Sequence, residues 1–206
     1  MAKDWNGNKN SLYITLGASN HTDKERQEDD FYATDPIAID KLFKAVKFAP
    51  DYHFWECACG QGHLSERIKS YGYDVYSTDL VDRGYGTTGV DFLKTTEIPY
   101  NGNDVVILTN PPYKYHKEFI RHALDILPET APAIFLLKTT ALEGKARYDE
   151  FYRKGYLKYI FQFSERLLCA KNAKFDEMKA GGGSAVSYAW FWFCKSNTDE
   201  TIIRWI

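Results

Sequence analysis

Residues Leu108–Lys114 read LTNPPYK, an amide, two prolines and an aromatic ring placed directly after the apolar run DVVI. Pro111 and Pro112 bring no backbone N–H and lock φ at about −65°, and Pro111 restrains Asn110 to an extended backbone. The stretch offers stiff, bare carbonyls beside a carboxamide. That set suits an exocyclic amine on an aromatic base, a poor nucleophile because its lone pair is delocalised. Hydrogen bonds accepted by the Asn110 side-chain oxygen and the Pro111 carbonyl would draw the nitrogen towards tetrahedral geometry. They would also stabilise the positive charge that grows on it during methyl transfer. The prolines keep both acceptors in place, so little has to reorganise. Tyr113 supplies a flat face on which a base taken out of its helix can stack.

A second group of residues could hold the methyl donor. FWECACGQGHL places Glu56 at a strand end and Gly60 and Gly62 in the turn that follows. Glycine permits positive φ and close approach of a ligand to the backbone, and the following helix start offers free N–H groups. In DVYSTDL the strand ends with Asp79, 19 residues after Gly60, where a carboxylate in a doubly wound sheet binds ribose hydroxyls. TGVDFL adds Asp91 and Phe92 after a short third strand, suited to an adenine amino group and to its face. A GxG without the third glycine fits a pyrophosphate poorly. It fits better a nucleoside with a small charged tail, such as S-adenosylmethionine. A tight turn with no ligand is the alternative, and the strand-end carboxylates Glu56 and Asp79 weigh against it. Cys57, Cys59 and His63 resemble metal ligands only superficially, because a second ligand pair is missing; no metal is expected.

These residues need rigid elements to carry them. PIAIDKLFKAV places Ile37, Leu42 and Val46 near helical spacing, with Pro36 suited to a first turn. HLSERIKSYG, closed by Gly72, YHKEFIRHALDILP and KARYDEFYRKG read as further helices. HFWEC, DVYSTD, DVVILTN, APAIFLL, LKYIFQF, SYAWFWFC and TIIRWI read as strands. Alternation of this kind predicts an α/β fold with a mostly parallel sheet covered on both faces. The last two strands follow one another without a helix, which predicts an antiparallel hairpin at one edge.

The chain has 206 residues and 44% hydrophobic content, enough for one domain with a real core. Residues 1–30 are polar and read as an arm, and 31–206 as a single domain. No apolar run approaches the roughly 20 residues that span a membrane, and MAKDWNGNKN has no signal-peptide core. Four cysteines without a framework suggest free thiols, Cys169 and Cys194 being buried ones, and a cytoplasmic setting. A net charge of −2 speaks against a protein coated in basic surface. Aromatic residues make up 16%, more than stacking surfaces alone would use; YAWFWF reads as core strand.

With these residues in view, the chain resembles the class I S-adenosylmethionine-dependent methyltransferases of the amino-methylating branch. More narrowly, it is similar to the small DNA N6-adenine methyltransferases of bacteriophages and prophages. SNHTDKERQEDDFYATDP, WECACGQGHLSE, STDL, GVDFL, LTNPPY, LLKTTALEGKARY, FSERL and YAWFWF occur in the family's order. The resemblance implies a Rossmann-like fold with a mostly parallel seven-stranded sheet, and S-adenosylmethionine as cofactor. It implies transfer of a methyl group to adenine N6 in DNA, in the cytoplasm of a bacterial host. It assigns Tyr32, Thr34 and Asp35 to closing over the methionine end of the cofactor. Glu56, Gly60 and Gly62 correspond to the cofactor turn, Asp79 to the ribose ligand, Asp91 and Phe92 to the adenine contacts. Asn110, Pro111, Pro112 and Tyr113 form the catalytic tetrapeptide.

Two departures stand out. ECACG has cysteine where relatives often have proline, and only about 90 residues follow the tetrapeptide, too few for a separate recognition domain. Residues 138–180 hold ten Lys and Arg against six Asp and Glu, in a chain of net charge −2. Within them the insertion 165–185, with Arg166, Lys171, Lys174 and Lys179 beside AGGGSA, is the expected DNA contact. Alternatives are methylation of RNA adenine or of a protein glutamine amide, and a non-catalytic cofactor-binding partner subunit. Oligomeric state is not legible.

Overall fold

The computed structural model describes residues 32–100, 102–171 and 186–206. The arm at 1–30 lies outside the described residues, as do Lys174 and Lys179 of the insertion. In chain order the elements are β1 (Tyr32–Thr34), α1 (Ile37–Ala45), β2 (His53–Glu56), α2 (His63–Lys69), β3 (Asp74–Asp79), β4 (Thr87–Thr88) and β5 (Val105–Thr109). There follow α3 (His116–Ile126), β6 (Ala133–Lys138), α4 (Lys145–Arg147), β7 (Leu157–Gln162), β8 (Cys169–Lys171), β9 (Tyr188–Phe193) and β10 (Ile202–Trp205). Short 3-10 turns occupy Phe92–Lys94 and Thr139–Leu142, and a π-helical turn at Tyr148–Tyr152 extends α4.

Every residue of β5 is buried, because the strand is covered on both faces. Val105 and Ile107 join a cluster with Trp55 and the α3 side chains Phe119, Ile120 and Leu124. Val106 and Leu108 pack on the other side with Phe54, with Leu42 of α1 and with Ile68 of α2. Two apolar layers, reached by alternate residues, turn the strand's sequence into an unbroken apolar run. The aromatic residues mostly serve these layers: Phe48 stacks on Trp192 at 5.7 Å, and Phe43 meets Tyr73 edge-on at 5.6 Å. In α1 the buried face is Ala38, Ile39, Leu42 and Phe43, while Ile37 is exposed and Val46 already extended.

Eight strands form one sheet in the order β10-β7-β9-β6-β5-β2-β3-β4, and β1 and β8 form a separate two-stranded ribbon. Strands β4, β3, β2, β5 and β6 pair in parallel, so their C-terminal ends share one edge of the sheet. From β2 the chain builds outward first through β3 and β4, then on the other side through β5. The resulting crevice is where open α/β sheets hold ligands.

The mostly parallel sheet expected from the sequence is present, with its C-terminal part arranged differently. The sheet has eight strands rather than seven, and β9 and β10 do not form an edge hairpin. β9 lies inside the sheet, antiparallel to both β6 and β7, and β10 pairs in parallel with the far side of β7. The connection between them crosses the start of β7 and is pinned there. Cys194 N–H donates to the Tyr156 carbonyl at 2.8 Å, Asn197 Nδ2 to that of Gly155 at 2.5 Å, and Thr201 Oγ1 to that of Leu157 at 2.7 Å.

Candidate active site

A cavity of about 490 Å³ opens at the C-terminal edge of the sheet, beside β2 and β5. That volume falls within the roughly 300–1,000 Å³ of small-ligand sites. Tyr32, Thr34, Glu56, Asp79, Asp91, Phe92 and Asn110 to Tyr113 all line it. Residues up to 81 positions apart in sequence thus meet: the carboxylates and the tetrapeptide end or follow strands at that edge, and Tyr32 and Thr34 reach it from the β1–β8 ribbon.

Three carboxylates from three strand ends line the cavity. Glu56, at 2% exposure, accepts a hydrogen bond from Ser65 Oγ, which lies 2.6 Å from Ser77 Oγ. Burial, only partly opposed by that hydrogen bond, raises the Glu56 carboxyl to about 8. The Asp79 carboxylate accepts Gly60 N–H at 2.8 Å and Val81 N–H at 2.9 Å. Gly60 acts here through its backbone: with φ of 55° it aims its N–H at Asp79, tying the glycine turn to the end of β3. Asp91 accepts from Leu93 N–H at 3.2 Å and pairs with Lys94 at 3.0 Å. Phe92 is 2% exposed and wedged against Trp55 and Phe119, so it belongs to the apolar floor.

Gly60, Gly62 and Asp35 do not line this cavity. Gly62, at φ 81°, lies under the ring of Tyr85, which a Cβ would meet at 2.6 Å. The Asp35 carboxylate instead accepts Ile37 N–H at 3.0 Å and fixes the start of α1. Arg166 is exposed and outside the cavity, and Lys171 ends β8.

The tetrapeptide is held from several sides. Asn110 Nδ2 donates to Thr34 Oγ1 at 3.0 Å and, more loosely, to the Tyr32 carbonyl at 3.4 Å. Asn110 Oδ1 is buried and has no hydrogen-bond partner among the described residues. His116 Nδ1 lies 2.8 Å from the Tyr113 carbonyl, which can only accept, so the proton is on Nδ1. The Tyr113 hydroxyl meets that of Tyr188 at 2.8 Å, and its ring lies 5.3 Å from that of Tyr32. Burial raises both tyrosine hydroxyls well above the usual range, so they stay protonated. The buried Cys169 thiol, pushed up to about 12 by burial, completes this cluster beside Thr34, Tyr113 and Tyr188. Lys138 Nζ sits 4.3 Å from the Tyr113 ring centre.

Several of these partners left no readable signal in the sequence. Ser65, Ser77, Lys138 and Tyr188 sit in ordinary helix and strand patterns. The ribbon of β1 and β8 consists of three-residue strands joined across 135 positions of chain, with Thr34 opposite Cys169. Among the described residues no group of three or more His, Cys, Asp or Glu is arranged to hold a metal, and no helix is long and apolar enough to cross a membrane.

No protein-family profile and no curated protein matches the chain in sequence. Solved structures match it in fold. The methyltransferase subunit of a type I restriction-modification system from Streptococcus thermophilus superposes with a TM-score of 0.61 at 14% identity. That match covers 85% of this chain and 47% of the subunit, so the chain spans about half its length. A Listeria monocytogenes protein assigned to the class I S-adenosylmethionine-dependent methyltransferases gives 0.56 at 15% identity, covering 95% and 71%. A Lactococcus lactis protein named as a hemolysin gives 0.56 at 9%, covering 82% and 91%. At such identities the likeness is one of fold, and the fold is that of the class I methyltransferases. Because differently named proteins share it, function has to be argued from the site.

Proposed function

We propose that the protein is an S-adenosylmethionine-dependent methyltransferase whose acceptor is the N6 amine of adenine in DNA. The observation that carries this is Asn110 Oδ1, a buried acceptor facing no donor, at the head of a proline-stiffened loop in the cavity. Leaving such a group unpaired costs about 1–3 kcal/mol, and an incoming N–H repays it. With the Pro111 carbonyl, it can take both protons of an amine and favour the charge that develops there. Tyr113, braced by Tyr188, offers the stacking face.

The cofactor fits the remaining lining. Bound S-adenosylmethionine supplies an electrophilic methyl group on a sulfonium. Asp79, fixed by Gly60 and Val81, has lone pairs left for ribose hydroxyls, and Asp91 can accept from an adenine amine. Glu56 can hold the cationic methionine end. Tyr32 borders that end from the ribbon.

A nucleic acid is favoured over a glutamine amide by cations near the tetrapeptide. Lys114 lines the cavity and Lys138 lies over Tyr113, and neither forms an ion pair among the described residues. The restriction-modification subunit of like fold favours DNA. Arg166, Lys171, Lys174 and Lys179 are proposed as further phosphate contacts.

Incubation with methyl-labelled cofactor and mixed DNA, RNA and protein, followed by nucleoside analysis, tests the reading. Label in N6-methyladenine of DNA is expected. Asn110→Ala should lower transfer by roughly 10²–10³-fold with nearly unchanged cofactor affinity. Near-normal turnover in that variant would refute the mechanism.

A further inference from the structure

We infer that Thr34 is a positioning residue for the Asn110 amide, and that the β1–β8 ribbon is the bracket that sets its orientation. This rests on the proposed role of Asn110 and deepens it. A carboxamide is nearly symmetric in shape, so its oxygen and nitrogen can exchange places unless the surroundings distinguish them. Only one orientation is useful, because an amine needs an acceptor and a flipped amide would present a donor.

Two groups on β1 make the distinction. The Tyr32 carbonyl can only accept, and it faces Asn110 Nδ2 at 3.4 Å. Thr34 Oγ1 takes the shorter contact, at 3.0 Å. The Thr34 side chain is buried at 3% exposure, and its register partner Cys169 lies within hydrogen-bond reach. With its hydroxyl proton directed to that sulfur, Thr34 Oγ1 presents lone pairs to Asn110. Oδ1 is then the atom left for an incoming donor, which matches its lack of any partner among the described residues.

The bracket is built from distant pieces. β1 is held by β8 through three register pairs, and the Asp35 N–H donates to the Leu168 carbonyl at 3.0 Å. β8 thus braces the strand from which Thr34 meets Asn110.

The test uses Thr34→Val, which keeps shape and strand preference but removes the oxygen, and Thr34→Ser, which restores it. Two readouts are needed. In 15N spectra of the cofactor-free protein, the Asn110 side-chain NH₂ pair is assigned by its absence in Asn110→Asp. It should be sharp and slow to exchange in wild type and Thr34→Ser, and broadened and fast in Thr34→Val. In methyl transfer, Thr34→Val should lose about 10²-fold in kcat with KM for cofactor within twofold, and Thr34→Ser should recover most of it. An unchanged NH₂ pair in Thr34→Val overturns the inference. So does a rise in cofactor KM or Kd with kcat preserved, which would make Thr34 a cofactor ligand. If wild type transfers methyl to no acceptor, the proposed function fails while the spectra still decide the role of Thr34.

Discussion

Asn110 and Glu56 are both polar groups that the fold buries at a cost, and each leaves a measurable trace. Asn110 keeps an unpaired acceptor, whereas Glu56 responds by holding its proton. Its folded value of about 8 lies above the ordinary 4.5, so between those limits the folded state binds a proton that the unfolded chain has released. Glu56 therefore favours folding fully below pH 4.5, and this contribution is lost as pH rises through 8. Urea midpoints measured from pH 5 to pH 8 should fall in wild type, and Glu56→Gln should flatten that slope. An equal slope in the variant would assign the dependence to other groups. A cationic ligand end beside Glu56 should expel the same proton. Calorimetry at pH 6 to 7 in buffers of different ionisation heat should then report proton release on S-adenosylmethionine binding.

At the scale of elements, the glycine turn between β2 and α2 works through what covers it. Gly62 lies at φ 81° beneath Tyr85, whose hydroxyl bonds to Glu66 at 2.5 Å and receives Lys69 Nζ at 2.9 Å. Tyr85 is anchored, so a methyl group at position 62 meets both an unfavourable backbone and a ring held in place. Gly62→Ala should destabilise the fold by about 1–3 kcal/mol. In a Tyr85→Ala background the same change should cost only the backbone part, about 1–2 kcal/mol. Chemical denaturation of the four proteins in the cycle measures the difference, and strict additivity would mean that the ring yields freely. The helices and long strands were legible because their apolar residues repeat over many positions. β1 and β8, three residues each, carry no such repeat; Tyr32 and Thr34 were legible only through the resemblance of FYATDP.

For the whole molecule, the charge balance hides a local arrangement. The net charge is −2, yet Lys138 stands over the ring of Tyr113 and Lys114 over that of Tyr115, without carboxylate partners among the described residues. If both hold phosphates, Lys114→Ala combined with Lys138→Ala should reduce the slope of log affinity against log salt by about two units, without changing cofactor affinity. A filter-binding titration from low to moderate salt reads this directly. An unaltered slope would leave the phosphate contacts to Arg166 and the lysines at 171, 174 and 179.

The sequence by itself determined the mostly parallel α/β sheet, the glycine turn with its strand-end carboxylates, and the stiff amide-bearing loop after β5. Each of these is local: a period, a conformational restriction or a residue at a strand end can be read within a few positions. Tertiary structure alone decided that β9 enters the sheet between β6 and β7, and that Gly62 is covered by Tyr85. It also decided that Asn110 Nδ2 is the amide atom bonded by β1. These depend on hydrogen-bond partners and packed rings brought together from far apart in the chain, as when Thr34 meets an amide 76 residues away, and no local pattern encodes such a meeting.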